Sequence, residues 1–73
     1  MKYSKVVILS GAEAVTLENC TVFNPNTEGM CTIMCEGNLA NFKELLGMEV
    51  PFMKTCENYQ LAVNFQDIEK LEV

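Results

Sequence analysis

The last fifteen residues, 59–73, carry the plainest hydrophobic pattern in the chain. Leu61, Val63 and Phe65 alternate with Gln60, Ala62 and Asn64, the two-residue period of a half-buried strand. Gln66, Asp67 and Ile68 break the phase, and Leu71 and Val73 then alternate with Lys70 and Glu72. The pattern predicts a strand, a tight corner and a shorter strand sharing one apolar face, which the upstream elements cover.

Residues 2–10 read as the first strand. Val6, Val7, Ile8 and Leu9 are apolar on both faces, which predicts a central position or a covered outer face. A turn over Ser10, Gly11, Ala12 and Glu13 follows, with Gly11 free to take positive φ. Val15 and Leu17 then alternate with Thr16 and Glu18, so a hairpin is expected; Asn19 marks a corner or bulge, and 20–23 continue extended. Asn24, Pro25, Asn26, Thr27, Glu28 and Gly29 are all turn formers and predict a loop. In the next strand Cys31, Ile33 and Cys35 share one face and Met30, Thr32 and Met34 the other.

The period changes at Leu39. Leu39, Phe42, Leu45 and Leu46 fall at helical spacing, between Asn38 as an N-cap and Gly47 as a stop. A helix over 39–46 is too short to persist alone and is expected to plug one end of the sheet. Residues 48–53 read as extended, with Pro51 pointing to an edge, and 54–58 as a polar turn. The expected fold class is mainly β. It is a small curled antiparallel sheet or an SH3-like or OB-like barrel of about five strands, with the one short helix. An open α+β sandwich is the alternative.

Length makes this a single domain, 1–73, and a chain of 73 residues buries only about 60% of its unfolded surface. With 49% hydrophobic residues, some apolar surface is expected to meet another chain. The net charge is −5, with five lysines against ten carboxylates and no arginine, histidine or tryptophan. Without arginine there is no bidentate fork for guanine or phosphate, and the acidic balance repels nucleic acid. Without histidine the usual general base is missing. Lys2 and Lys5 before a short apolar run imitate a signal peptide, but four residues fall short of the roughly 7–15 that one needs. No run approaches a membrane span of about 20 residues. A cytoplasmic location is expected, leaving Asn19-Cys20-Thr21 as an unused N-x-T match.

Cys20, Cys31, Cys35 and Cys56 could in principle close a zinc site. Cys31 and Cys35 lie in a predicted strand, where i and i+4 are roughly 13 Å apart, so buried free thiols and no metal are expected. A nucleophilic Cys56 would have only Lys54 to activate it. Glu13, Glu18, Glu28 and Glu36 sit at turns and strand ends, and no Gly-rich phosphate loop exists. The expectation is a protein that is not an enzyme and carries no cofactor.

Methionine suits surfaces that adapt to a partner. Met30, Met34, Met48 and Met53 with Phe52 are therefore adaptable candidates, and Met48, Val50, Phe52 and Met53 in the Pro-restricted stretch are the apolar interface candidates, against a competing role in the core. Asp67, Glu69 and Glu72, with Glu13 and Glu18, could add a negative face for a basic partner. Under a second reading, Lys2, Lys5, Lys43 and Lys54 of several subunits converge on a small anionic ligand such as a nucleotide signal. The partner is another protein or a second copy, with no nucleic acid and no membrane.

The early hairpin, the polar central loop and the closing strands that end in Ile68, Glu69, Lys70, Leu71, Glu72 and Val73 form a plan. That plan resembles the tiny β-domain proteins of phages and prophages. The resemblance transfers no site residue. It implies a non-catalytic binder in a host cytoplasm, including the expectation of an inhibitor of host defence proteins.

Overall fold

The computed structural model describes residues 1–23 and 29–73, so the expected loop at 24–28 lies outside the described residues. The elements are β1 (Lys2–Ser10), β2 (Glu13–Phe23), β3 (Met30–Glu36), α1 (Leu39–Leu46), β4 (Phe52–Thr55), β5 (Asn58–Asn64) and β6 (Ile68–Glu72). A 3₁₀ turn at Phe65–Asp67 forms the expected corner. The strands make one antiparallel sheet in the order β4-β5-β3-β2-β1-β6.

The expected curled sheet or SH3-like or OB-like barrel is not what forms. Among the described residues β4 and β6 end the strand order without pairing with each other, so the ladder stays open with two free edges. Register explains this. β3 pairs with β2 only at residues 20–23. β6 pairs with β1 at residues 5–8, which face 15–18 of β2. The two groups of strands thus attach to different stretches of the long β1–β2 hairpin, and among the described residues no pairing joins β4 to β6.

The strand count also changes, from about five to six. Lys54 and Thr55, read as part of a polar turn, belong to β4, and the turn itself is only Cys56 and Glu57. Met48 to Pro51, read as extended, precede the strand instead of forming it.

A bend in the hairpin decides where the core sits. Buried positions in β2 switch from Val15 and Leu17 to Cys20 and Val22. In β1 they switch from half-buried Tyr3 to Val6 and Ile8. Both strands therefore insert one extra residue at the same level. The ladder skips from Tyr3–Cys20 to Lys5–Glu18, and Asn19 adopts a left-handed φ of 54°. Extra residues bend a strand pair and, placed in both strands, keep one face toward the core. Only residues 65–67 separate β5 from β6. Four spacings across a flat sheet would be about 19 Å, beyond the roughly 14 Å that four residues reach. The bend brings the halves together, and Ile8, Leu17, Ile33 and Leu61 pack between them.

Helix α1 lies on this core at the bend. Asn38 caps it, its side chain accepting from the Asn41 N–H at 2.8 Å. Leu45 is fully buried. Phe42 stacks on Tyr59 with ring centroids 5.8 Å apart, and Phe52 meets both rings edge-on at 6.2 and 5.7 Å. Asn41 is completely buried. Its Oδ1 accepts from the Glu18 N–H at 2.8 Å, while its Nδ2 donates to the carbonyls of Glu18 at 2.9 Å and Glu36 at 2.7 Å. The side chain stands in for a strand where β3 leaves β2, which satisfies backbone groups that burial would otherwise orphan. The sequence pattern gave this residue no role.

Candidate functional site

The registers make the outer surface of the sheet readable side chain by side chain, because opposed residues share a face. In the half formed by the end of β2 with β3, β5 and β4, one row runs Thr21, Met34, Gln60, Met53. The next is Phe23, Thr32, Ala62, and beyond it Met30 opposes Asn64. On the other side lies the pair Asn58 and Thr55. None of these residues is charged. Lys2, paired with Thr21, and Glu36, paired with Asn58, bound the area. Phe23, Met30 and Met53 are 42%, 57% and 59% exposed.

The outer surface of the other half differs. Lys5 is flanked by Glu18 on β2 and Glu72 on β6, and Val7 by Thr16 and Lys70. Lys70 pairs with Glu72 at 3.7 Å in the open, an arrangement worth under about 1 kcal/mol. A register shift in the β1–β6 ladder between Val7 and Ile8 and the charges on β6 also guard that edge against pairing with other chains.

Two shallow depressions mark the uncharged half. One of about 370 Å³ is lined by Thr32, Pro51, Met53, Gln60 and Ala62 among others. A second, about 570 Å³, lies at the bend beside Lys2, Ser4, Asn19, Thr21, Met34 and Asn58. Glu36 closes this end. Its carboxylate accepts from the side-chain amides of Asn19 and Asn38, both at 3.0 Å. These donors hold its pKa below the ordinary carboxylate value, because a hydrogen bond to the charged form favours it.

The structure divides the apolar candidates. Met48 is buried in the core, Phe52 belongs to the aromatic cluster, and Val50 packs partly against the core. Met53 alone of the four points outward with the uncharged rows. Asp67 and Glu69 are exposed and Glu72 half-buried, at the charged half and its corner. Lys2 and Lys5 lie on β1, Lys43 on α1 and Lys54 on β4, so the fold does not gather the four lysines within one chain. Lys54 lies over the Tyr59 ring, its Nζ 5.8 Å from the centroid. Met30 and Met34, expected with the other methionines as adaptable residues, do lie on this surface, and Phe23 and Thr32 are the surface residues that the sequence pattern did not single out.

Cys20, Cys31 and Cys35 are buried and Cys56 is exposed at the β4–β5 turn; all four are free. Val22 exchanges backbone hydrogen bonds with Met1, so the opposed Cys20 and Cys35 form a non-hydrogen-bonded cross-strand pair, where side chains come closest. The Cys20 thiol donates to Cys35 and is desolvated, which holds its pKa far above the usual range; burial also raises Cys31. Among the described residues no three Cys, Asp or Glu side chains gather as metal ligands, and no helix is long and apolar enough to cross a membrane.

No family model matches this chain, and no curated protein or solved structure shows significant similarity to it. The resemblance to small phage and prophage domains finds no counterpart there.

Proposed function

We propose that this protein is a non-catalytic binding module that acts through protein–protein contact, and that the uncharged outer surface of β3, β5 and β4 is the contact. The observation that carries the reading is the charge distribution. Among the described residues fourteen are charged; Lys2 and Glu36 end two of the rows, and no other charged residue falls on them. A surface kept clear of charge while exposing three large apolar side chains fits the core of an interface, where charged residues are depleted and methionine and aromatics enriched. Met30, Met34 and Met53 also give it adaptable side chains. The apolar stretch at 48–53 contributes only Met53; its other large residues hold the core.

Photo-crosslinking tests the reading. A benzophenone amino acid is placed at Thr32, in the middle of the rows, and separately at Thr16 on the charged half. Irradiation in cells is expected to give discrete protein adducts from position 32 and none from position 16. Equal adducts from both positions, or none from either, would refute it.

A further inference from the structure

We infer that the occupant of the uncharged surface is a second copy of this chain, packed face to face as a weak, reversible dimer. This rests on the reading of that surface as a protein contact. The argument is one of charge. A partner presenting charged groups would lose their hydration against Met34, Met53 and Phe23 and find no counter-charge there, a cost that excludes it. The partner surface must therefore be uncharged and apolar as well, and the same rows on another copy meet that description.

Symmetry adds a condition. In a two-fold contact residue i meets residue j and j meets i, so every charged group would need its opposite at the symmetry-related position. The rows of the uncharged half carry no such requirement, on a molecule whose net charge is −5. Threonine, asparagine and glutamine in the rows can each donate and accept, so they can pair with their own kind.

Size fixes the strength. With the four paired residues at the end of β2, seven each in β3 and β5 and four in β4, the face covers about 350 Å² in plan at the usual strand spacing and rise. Stable interfaces bury about 800 Å² per partner. The dimer is accordingly transient, at or below the low end of specific interface sizes.

Sedimentation of the full chain from micromolar to millimolar concentration tests this. A reversible monomer–dimer equilibrium is expected. It should tighten modestly as salt rises, because salt screens the repulsion between two acidic copies. Met53→Glu should weaken the dimer at least tenfold, and Thr32→Lys should do the same, while Thr16→Glu on the opposite half leaves it unchanged. Circular dichroism confirms that each variant is folded. A chain that stays monomeric at millimolar concentration, a dimer that weakens with salt, or one indifferent to both Met53→Glu and Thr32→Lys would overturn the inference. The crosslinks from position 32 separate the two levels. An adduct of twice the chain's mass supports self-association. An adduct with a different protein and no doubled species overturns the second copy while leaving the contact surface in place.

Discussion

The two halves of the sheet share one core and differ in what they show outside. In both, alternate residues point inward and are buried, from Val6 and Leu17 on one side of the bend to Ile33 and Leu61 on the other. Outside, the β6–β1–β2 half sets Lys5 between Glu18 and Glu72, with a guarded edge strand. The β3–β5–β4 half carries threonine, methionine, glutamine and asparagine. Folding demands the inner pattern from both halves equally. It does not demand that the charged groups of one outer surface keep to its ends, as Lys2 and Glu36 do among the described residues. The inner alternation therefore serves stability, and the outer asymmetry has no such folding reason.

The largest effect is expected where the halves join. Asn41 holds three backbone groups, two on Glu18 of β2 and one on Glu36 at the end of β3. Asn41→Ala leaves those groups without a partner in a buried position, at a cost of about 3 kcal/mol. Urea denaturation followed by circular dichroism measures it. Asn41→Asp should be worse at neutral pH, since a carboxylate oxygen would replace the amide that donates to two carbonyls. If Asn41→Ala costs under about 0.5 kcal/mol, the level of an ordinary surface change, the bend holds itself, and the halves are less separate than their surfaces suggest.

Asn41 also marks the limit of what the sequence discloses. Alternation was enough to place β1, β2, β3 and β5, and the helix occupies the expected 39–46, because capping by Asn38 and the spacing of Phe42 and Leu45 are local facts. Sheet order is not local. Alternation says which side chains share a face, and nothing in it says that β6 pairs with β1 far from β4, so an open ladder and a barrel read alike. β4 was hidden for a different reason. Its residues on the core side are Phe52 and Lys54, and Lys54, though exposed, holds its Nζ 5.8 Å from the Tyr59 ring centroid, so a cation stands where alternation looks for an apolar side chain. The uncharged surface was hidden most of all. Its rows draw on β2, β3, β4 and β5, each contributing every second residue, and the absence of charge emerges only once the registers align them. Met48 and Met53 show the same limit in one segment: five residues apart, one faces the core and the other solvent.

A smaller effect sharpens the comparison at the tip of the uncharged half. Cys56 opens the two-residue turn between β4 and β5 with a φ of 51°, which disfavours any residue with a Cβ. Cys56→Gly relieves that conformation and is expected to stabilise the protein by about 0.5 kcal/mol after the added entropy of the unfolded glycine. The midpoint of urea unfolding should rise with an unchanged slope. The turn lies at the end of the rows, so the variant should also leave crosslinking from position 32 as it was. A lower midpoint would mean that the thiol makes contacts worth more than the strain.

The smallest effect is electrostatic and lies on the boundary of the uncharged rows. Glu36 is fully exposed, and its pKa is held below the ordinary 4.5 by the amides of Asn19 and Asn38. A carboxyl group whose folded pKa is depressed adds stability that is present above its unfolded pKa and is lost as pH falls through the folded one. Any contribution from Glu36 is therefore intact at neutral pH and disappears only in the acid range below about 4.5. A carboxyl titration by NMR should place Glu36 below the other exposed glutamates, and Asn19→Ala should raise it toward them, leaving the donor from Asn38 as the remaining cause. Because Asn19 is also the residue that turns β2 at the bend, Asn19→Gly provides the control. It keeps the left-handed backbone and removes the same amide, so an equal rise in both variants assigns the shift to the hydrogen bond, and a rise in Asn19→Ala alone assigns it to the backbone. If neither variant moves Glu36, the carboxylate is free in solution, and the uncharged rows end against a mobile charge instead of a fixed one.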